Sequence, residues 1–362
     1  MRRVFLTGFP GFLGSELVRH VLRRPEAPGV LCLVQEKFAP LAAERAKAIA
    51  REEGVDPKRI ALVTGDITRP GLGLADPQKI AREVAEIFHF AAVYDLAVKR
   101  PLAMKINVEG TRNLLDFAAS CPALDRLQYV STCYVSGRWA GIFREDDLEK
   151  GQRFNNFYEE TKYLAERDVR ARQAEGLPVT IYRPGVVVGD SRTGETQKFD
   201  GPYYILRWLL KQPTLAVLPV PGGTDRMRVN LVPRDFVVGA IAALSTLPAA
   251  LGQCYQLADP DPPTVDQTIT GMGRATGRII VRLPITVTIA KAAIEWVPGV
   301  ERVMGIPSNA IDYFAHPTYY ETAHATRDLA PLGIRCPKIL DILPTLVDFL
   351  KRYPEIGSEA MI

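Results

Sequence analysis

Cysteine is scarce in this chain and is not arranged in pairs. The 362 residues include five, Cys32, Cys121, Cys133, Cys254 and Cys336, widely scattered and without C-x-x-C spacing. An odd, dispersed set argues against a disulfide framework and against a zinc site, and it suits a reducing compartment. An excess of one charge is also missing. Lys and Arg number 45 against 41 Asp and Glu, a net of +4, and no dense basic block occurs. Nucleic-acid binding therefore lacks its electrostatic footprint. Long apolar runs are absent: stretches such as Phe236–Leu244 fall well short of the ~18 residues a membrane span requires. The basic start, MRRVFLTG, is broken by Gly8, Pro10 and Gly11 before a signal segment can form. What remains is a globular chain, expected to be cytoplasmic, with 47% hydrophobic residues to fill a large core.

Alternation comes next. Short apolar runs, Arg3–Gly8, Gly29–Val34, Arg59–Ile67, Glu86–Ala92, Leu127–Thr132 and Val179–Gly185, read as strands. Helical patterns separate most of them, notably Leu102–Ala119 and Tyr158–Glu175. This order predicts an α/β fold, a Rossmann-type doubly wound parallel sheet with a smaller C-terminal substrate-binding lobe. Residues 1–189, joined by about 229–245, are expected to form the nucleotide-binding domain. Residues 190–228 and 246–362 are expected to form the lobe, closing over the carboxyl ends of the strands.

Between the first strand and the first helix lies TGFPGFLGSEL, with Gly8, Gly11 and Gly14 spaced G-x-x-G-x-x-G. Gly8 lets the chain turn out of the strand, Gly11 admits a pyrophosphate, and Gly14 lets the helix pack against the sheet. The helix then offers free N–H groups and a positive dipole end to the phosphates. The residue closing the second strand usually selects the cofactor, and here it is Gln35, followed by Glu36 and Lys37. Gln35 removes the acid that would bind the ribose hydroxyl of NAD, and Lys37 can meet the extra phosphate of NADP. NADP(H) is favoured over NAD(H) on that ground, although Glu36 and Lys37 also read as a solvated loop.

Tyr158 and Lys162, four apart on a predicted helix, share one face. Thr132 and Ser131 end the fifth predicted strand at the sheet's carboxyl edge. A phenol has an unperturbed pKa near ~10 and needs a neighbouring positive charge to exchange protons at neutral pH. Lys162 supplies that charge, Tyr158 gives the proton to a carbonyl oxygen, and Thr132 holds that oxygen, with Ser131 as substitute if the register slips by one.

The motifs TGFPGFLG, GDI, HFAA, NVEGT, YVST, YEETK and YRPGVVVGD together resemble the extended short-chain dehydrogenase/reductase superfamily. Within it, YVSTCYVSG, YEETKYLAE and YRPGVVVGDSRTGE are most similar to the thioester reductase and fatty acyl-CoA reductase branch, the male sterility type of domain. The resemblance covers about residues 4–195 and extends to about 244. It implies that Gly8, Phe9, Pro10, Gly11, Phe12, Leu13 and Gly14 line the pyrophosphate. It places Asp66 and Ile67 beside the adenine, and Ala91 and Ala92 under the cofactor. Asn107 is implied to fix the region of the fourth and fifth strands, and Pro184, Gly185 and Val186 to approach the nicotinamide amide. Two positions depart from the pattern: Pro10 stands where a small or polar residue is usual, and Gln35 where this branch commonly has Arg.

The remaining candidates read blandly. Cys133 suits a small buried hydrophobe and His89 a packed strand residue. His316 and His324 lack metal-ligand spacing. The aromatics Tyr203, Tyr204, Trp208, Tyr313, Phe314, Tyr319 and Tyr320 read either as core or as walls of an apolar substrate cavity. The amphipathic stretch Pro284–Pro307 reads as lobe packing, with a lid or membrane-surface helix as the alternative.

The expected activity is an NAD(P)H-dependent reduction at carbonyl level, specifically of an acyl thioester to an aldehyde or alcohol through a hemithioacetal. No adenylation or carrier segment is recognisable, so the thioester is expected as free acyl-CoA or on a separate acyl carrier protein. A nucleotide-sugar epimerase or dehydratase, or an alcohol dehydrogenase of the hydroxysteroid or flavonol type with bound NAD, is the alternative. A cofactor-sensing protein without turnover is a third reading. A homodimer through Leu102–Ala119 and Tyr158–Glu175 is common in the superfamily.

Overall fold

Short β-branched runs joined by helices can bury both faces only as parallel strands between helical layers. The computed structural model, which describes residues 3–26, 28–95, 98–286 and 316–358, has that arrangement. Its sheet contains β1 (Arg3–Thr7), β2 (Gly29–Val34), β3 (Ile60–Thr64), β4 (Val84–His89), β5 (Arg126–Val130), β7 (Val179–Pro184) and β11 (Cys254–Leu257). The order is β11-β7-β5-β4-β1-β2-β3, every neighbouring pair parallel. Six of the seven are the strands expected from sequence. β1 sits between β4 and β2, where the strand order reverses, and this is where ligands bind in open α/β sheets.

The period of two along β1 sorts its side chains between the layers. Val4 and Leu6 join Leu17 and Val18 of α1 (Phe12–Leu22), Ile49 of α2 (Ala39–Glu53) and Ile241 of α8 (Arg234–Thr246). Phe5 faces the other way, toward Leu114 and Phe117 of α5 (Gly110–Ala119) and Val169 of α6 (Phe157–Ala174). The predicted helix over residues 102–119 is divided: a short α4 (Arg100–Ala103), a π-helical turn at Met104–Glu109, then α5.

A second core is built from α7 (Pro202–Leu210), α9 (Val265–Thr276) and α11 (Ile339–Arg352), with β8 (Val186–Val188), β9 (Leu215–Pro221) and β10 (Leu231–Pro233). β8 pairs with β10, and β9 with β12 (Ile279–Ile285). β6 (Gly141–Phe143) pairs with β13 (Thr318–Tyr320). Two elements from the stretch that the sequence reading gives to the lobe lie on the sheet instead. β11 closes its edge, and α10 (Ala323–Leu329) packs Ala325 and Leu329 into the core shared with α1 and α8. Both are tied down by buried Glu145, which accepts from the backbone N–H of Gln256 (2.9 Å), Ala325 (3.1 Å) and His324. The amphipathic stretch Pro284–Pro307 lies, beyond Thr286, outside the described residues, as do Tyr313 and Phe314. No helix among the described residues is long and apolar enough to cross a membrane.

Candidate active site

The three glycines of the loop are packed around one carbonyl. Gly8 has φ +92°, and a Cβ there would meet Phe90 Cβ at 2.8 Å. A Cβ on Gly11 would lie 2.8 Å from the Gly8 oxygen, and one on Gly14 2.6 Å from it. The helix start is thus folded back on the turn itself. The reason for Gly14 is contact with the loop carbonyl rather than with the sheet expected from sequence, and Gly11 is needed for the same approach. Gly11 N–H donates to the Gly8 oxygen at 3.0 Å, Ser15 Oγ to Pro10 O at 2.9 Å, and the Phe9–Pro10 peptide is cis.

Over this loop, along the carboxyl ends of the central strands, runs a cavity of about 400 Å³. Its walls include Gly8 to Gly14, Gln35, Asp66, Ile67, Ala91, Ala92, Ser131, Thr132, Tyr158, Lys162, Pro184, Gly185 and Val186. Two expected positions are not in its lining. Lys37 is exposed, its ammonium 5.0 Å from the centre of the Phe38 ring, although Phe38 itself lines the cavity. Asn107 is buried in the π-helical turn. Its amide oxygen accepts from Val93 N–H (2.9 Å), and its Nδ2 donates to Val93 O (3.3 Å) and Thr161 Oγ1 (3.0 Å). It fastens the segment after β4 to α6, not β4 to β5.

Asp66 and Gln35 meet at one end. The Asp66 carboxyl is partly buried, but bonds from Thr68 and Gln35 hold it below the usual carboxylate range. At the other end stand Thr132 and Tyr158. Asn156 caps α6 by accepting from Glu159 N–H at 3.0 Å, which sets Tyr158 in the first turn and Lys162 one turn later. Thr132 starts a 3₁₀ turn, its Oγ1 accepting from Tyr134 N–H at 3.3 Å, so its hydroxyl hydrogen is available to donate. Burial drives the Tyr158 phenol well above its ordinary pKa, and the neighbouring Thr132 hydroxyl offsets part of that rise. Lys162 is pushed down to about 8 by burial, with Glu166 opposing the fall. The ammonium donates to Val130 O at 2.8 Å and Tyr129 OH at 3.1 Å.

Ser131 is occupied elsewhere. It donates to Glu166 Oε2 at 2.6 Å, and Glu166 pairs with Arg183 at 2.6 Å, both side chains fully buried. Burial would raise the Glu166 carboxyl, but Arg183 and Arg170 carry it down to about 2. Cys133 is a buried thiol that donates to Arg183 O at 3.0 Å, and burial raises its pKa far from the reactive range.

Some wall residues were missed by sequence reasoning. Tyr94 stands edge-on to Tyr158 with ring centres 5.0 Å apart. Lys198 lies 4.4 Å from the Tyr94 ring centre and pairs with Asp200 at 2.5 Å; all three line the cavity with Tyr134 and Gln197. They lie on loops after β4 and β8, where no periodic signal marks them. Of the aromatics considered as cavity walls, Tyr203, Tyr204 and Trp208 belong to the second core. Tyr320 bonds His316 at 2.6 Å, and Tyr319 is exposed.

A nicotinamide dinucleotide fits this chain on its own geometry. The loop is a cradle that any Cβ would fill, the helix behind it presents N–H groups, and one cavity joins it to Tyr158. Among the described residues, no cluster of His, Cys, Asp and Glu is placed to hold a metal.

Comparison with known proteins follows the same lines. Residues 6–241 match the family model described as male sterility protein. The large subunit of L-2-aminoadipate reductase from Penicillium chrysogenum is 32% identical over 69% of this chain and 19% of its own length. Fatty acyl-CoA reductase wat of Drosophila melanogaster is 29% identical over 66% of this chain and 53% of its own. The chain thus spans about a fifth to a half of these relatives. A solved structure, the terminal R domain from the myxalamid PKS-NRPS biosynthetic pathway, superposes with a TM-score of 0.82 at 28% identity, covering 99% of this chain and 93% of that one.

Proposed function

The chain belongs to the male sterility family of NAD(P)-dependent extended short-chain dehydrogenases/reductases, and we propose that it reduces an acyl thioester to an aldehyde or alcohol. The observation that carries this reading is that Thr132, Tyr158 and Lys162 all line the one cavity that begins at the glycine loop. When bound, the reduced coenzyme supplies the hydride. Tyr158, kept protonated by burial, donates its proton to the substrate oxygen, giving a hemithioacetal whose collapse breaks the C–S bond and releases the aldehyde and the free thiol. Thr132 donates its hydroxyl hydrogen to the same oxygen and fixes its position. Lys162 bears the positive charge that favours the phenolate left behind.

In this reading residues 8–14 hold the pyrophosphate, Asp66 and Ile67 flank the adenine, and Ala91 and Ala92 lie beneath the coenzyme. Pro184, Gly185 and Val186 meet the nicotinamide amide. NADPH is the preferred form. Lys37 is exposed beside the lining residue Phe38, so its flexible side chain can turn toward a 2′-phosphate. Residues 1–189 and 229–245 hold the coenzyme, and residues 190–228 with the second core shape the acyl side. The acyl group comes as a coenzyme A ester or on a separate carrier protein. A homodimer through α5 and α6 would have to accommodate the Arg112–Asp168 and Arg172–Asp116 pairs.

The test is incubation with NADPH and either acyl-CoA of graded chain length or acyl-loaded carrier protein. Coenzyme absorbance should fall, and the organic product should be identified. No turnover with either thioester at any chain length rejects the proposal. Stoichiometric NAD retained through purification would favour the epimerase-type alternative.

A further inference from the structure

The loop after β8 sends neighbouring side chains to opposite places. Phe199 is wholly buried in the second core, its ring centre 5.0 Å from that of Tyr203 and 6.2 Å from that of Phe349. Its N–H donates to Gly357 O at 2.8 Å. Lys198 and Asp200, on either side of it, line the cavity instead. Asp200 O in turn accepts from Tyr203 N–H at 3.1 Å, where α7 begins. The loop is thus fastened to the second core between the two charged residues and again just after them, and the pair is held in the cavity wall.

Lys198 Nζ lies 2.5 Å from Asp200 Oδ2, with the two side chains 25% and 18% exposed. The ammonium also donates to Tyr94 O at 3.3 Å and lies 4.4 Å from the Tyr94 ring centre. An ammonium has three hydrogens, and here a carboxylate, a carbonyl and a ring face surround it. Asp200 is placed differently. A carboxylate offers about four lone-pair directions, and the lysine takes one of them. The Tyr94 ring meets Tyr158 edge-on at 5.0 Å, so the ion pair stands one aromatic ring away from the proposed proton donor. Tyr94 and Tyr158 themselves pack with Val93 and Ile106, which also line the cavity. A hydrocarbon chain laid along this wall would strip water from the carboxylate and return no hydrogen bond, which is unfavourable. A ligand group that donates a hydrogen replaces the lost water. Lys198 already balances the charge, so a neutral donor suits the site better than a second ammonium.

We propose that Asp200, held and neutralised by Lys198, is a specificity-determining acceptor that selects acyl thioesters carrying a neutral hydrogen-bond donor, a hydroxyl or an amide N–H, within a few bonds of the thioester carbonyl. Plain saturated chains of the same length are the disfavoured substrates. The inference rests on the proposed thioester reduction, whose cavity it shares, and deepens it by naming the class of acyl group.

The test compares butyryl-CoA with its 2-hydroxy and 3-hydroxy forms and with N-acetylglycyl-CoA, NADPH being the coenzyme. At least one donor-bearing thioester should exceed butyryl-CoA in kcat/KM by about tenfold or more. The double variant Lys198→Met/Asp200→Leu removes both charges together, so neither is left unpaired. It should lose that preference and turn over butyryl-CoA at least as well as before, with coenzyme Kd changed less than about threefold. Lys198→Met alone leaves the carboxylate unbalanced and should raise kcat/KM for 3-aminobutyryl-CoA several-fold; it carries the test if the double variant does not fold. An equal loss on all four substrates assigns the pair to packing or to the thiol arm and overturns the inference, as does an unsubstituted protein without preference. Calorimetric titration with S-butyl-CoA and its 2-hydroxybutyl and 3-hydroxybutyl counterparts, thioethers that cannot be reduced, separates this inference from the reaction. A hydroxylated thioether should bind about tenfold more tightly than the plain one. Turnover without preference overturns the acceptor role alone. Preference in binding without any turnover supports the acceptor role and rejects thioester reduction, and absence of both turnover and binding overturns the two together.

Discussion

At the Tyr158 end of the cavity, polar side chains are buried and bonded to one another; at the Gln35 end they are half-exposed and the surface is shaped by backbone. Ser131, Glu166 and Arg183 at the first end are nearly or wholly inaccessible, and each has a charged or hydroxyl partner within 2.6 Å. Gln35, Asp66 and Lys37 at the second stand beside water, and the rigid feature is the carbonyl of Gly8 enclosed by glycines. Electrostatic interactions are strong and intolerant in the dry interior and weak where water screens them. The first end is therefore suited to fixing a reaction geometry, and the second to holding a ligand whose details can vary.

The sharpest way to break this contrast is Tyr158→Phe. On the proposed role it should lower kcat by about 10²–10⁴-fold while coenzyme Kd stays nearly constant, as followed by steady-state kinetics and fluorescence titration. An unaffected rate would mean that proton donation lies elsewhere. Next in size is Arg183→Met, which removes the fully buried partner of Glu166 and leaves its carboxylate only Arg170, at the edge of the site, as a charged partner. A loss of about 3–5 kcal/mol in denaturant unfolding is expected, and it should shrink in the double variant that also carries Glu166→Leu. Gly8→Ala should cost about 1–3 kcal/mol, because the residue has φ +92° and its Cβ would meet Phe90. Coenzyme affinity should fall with it. Smallest is Lys37→Ala, which should raise KM for NADPH a few-fold, about 1 kcal/mol or less, and leave that for NADH unchanged. Equal effects on both coenzymes would remove Lys37 from phosphate recognition.

Much of this was legible in the chain. Alternating apolar runs located six of the seven sheet strands because a parallel strand buried on both faces must be apolar throughout. The seventh, Cys254–Leu257, escaped because four residues between polar loops carry no period of their own. The π-helical turn at Met104–Glu109 was hidden inside an uninterrupted helical pattern. The Tyr158 and Lys162 spacing was readable, since four residues on a helix return to one face. His89 was read as a packed strand residue, and packed it is. A period of two cannot reveal that both its nitrogens find hydroxyls 82 and 22 residues away in the chain. Tyr94, Lys198 and Asp200 were equally invisible, because loops bring them to one another and to the cavity.

The edge strand β11 sets a rule for anyone who wishes to trim this molecule. Its four residues cover the flank of β7 and receive Glu145 from a loop more than a hundred positions earlier. A fragment ending at residue 245 would present Ile181 and Tyr182 along an unpaired edge, open to association with any other extended chain. It would also leave the Glu145 carboxylate without Gln256 and Ala325. The smallest unit built on the main sheet that keeps this edge covered is therefore one that carries Cys254–Leu257 and Ala323–Leu329 with it.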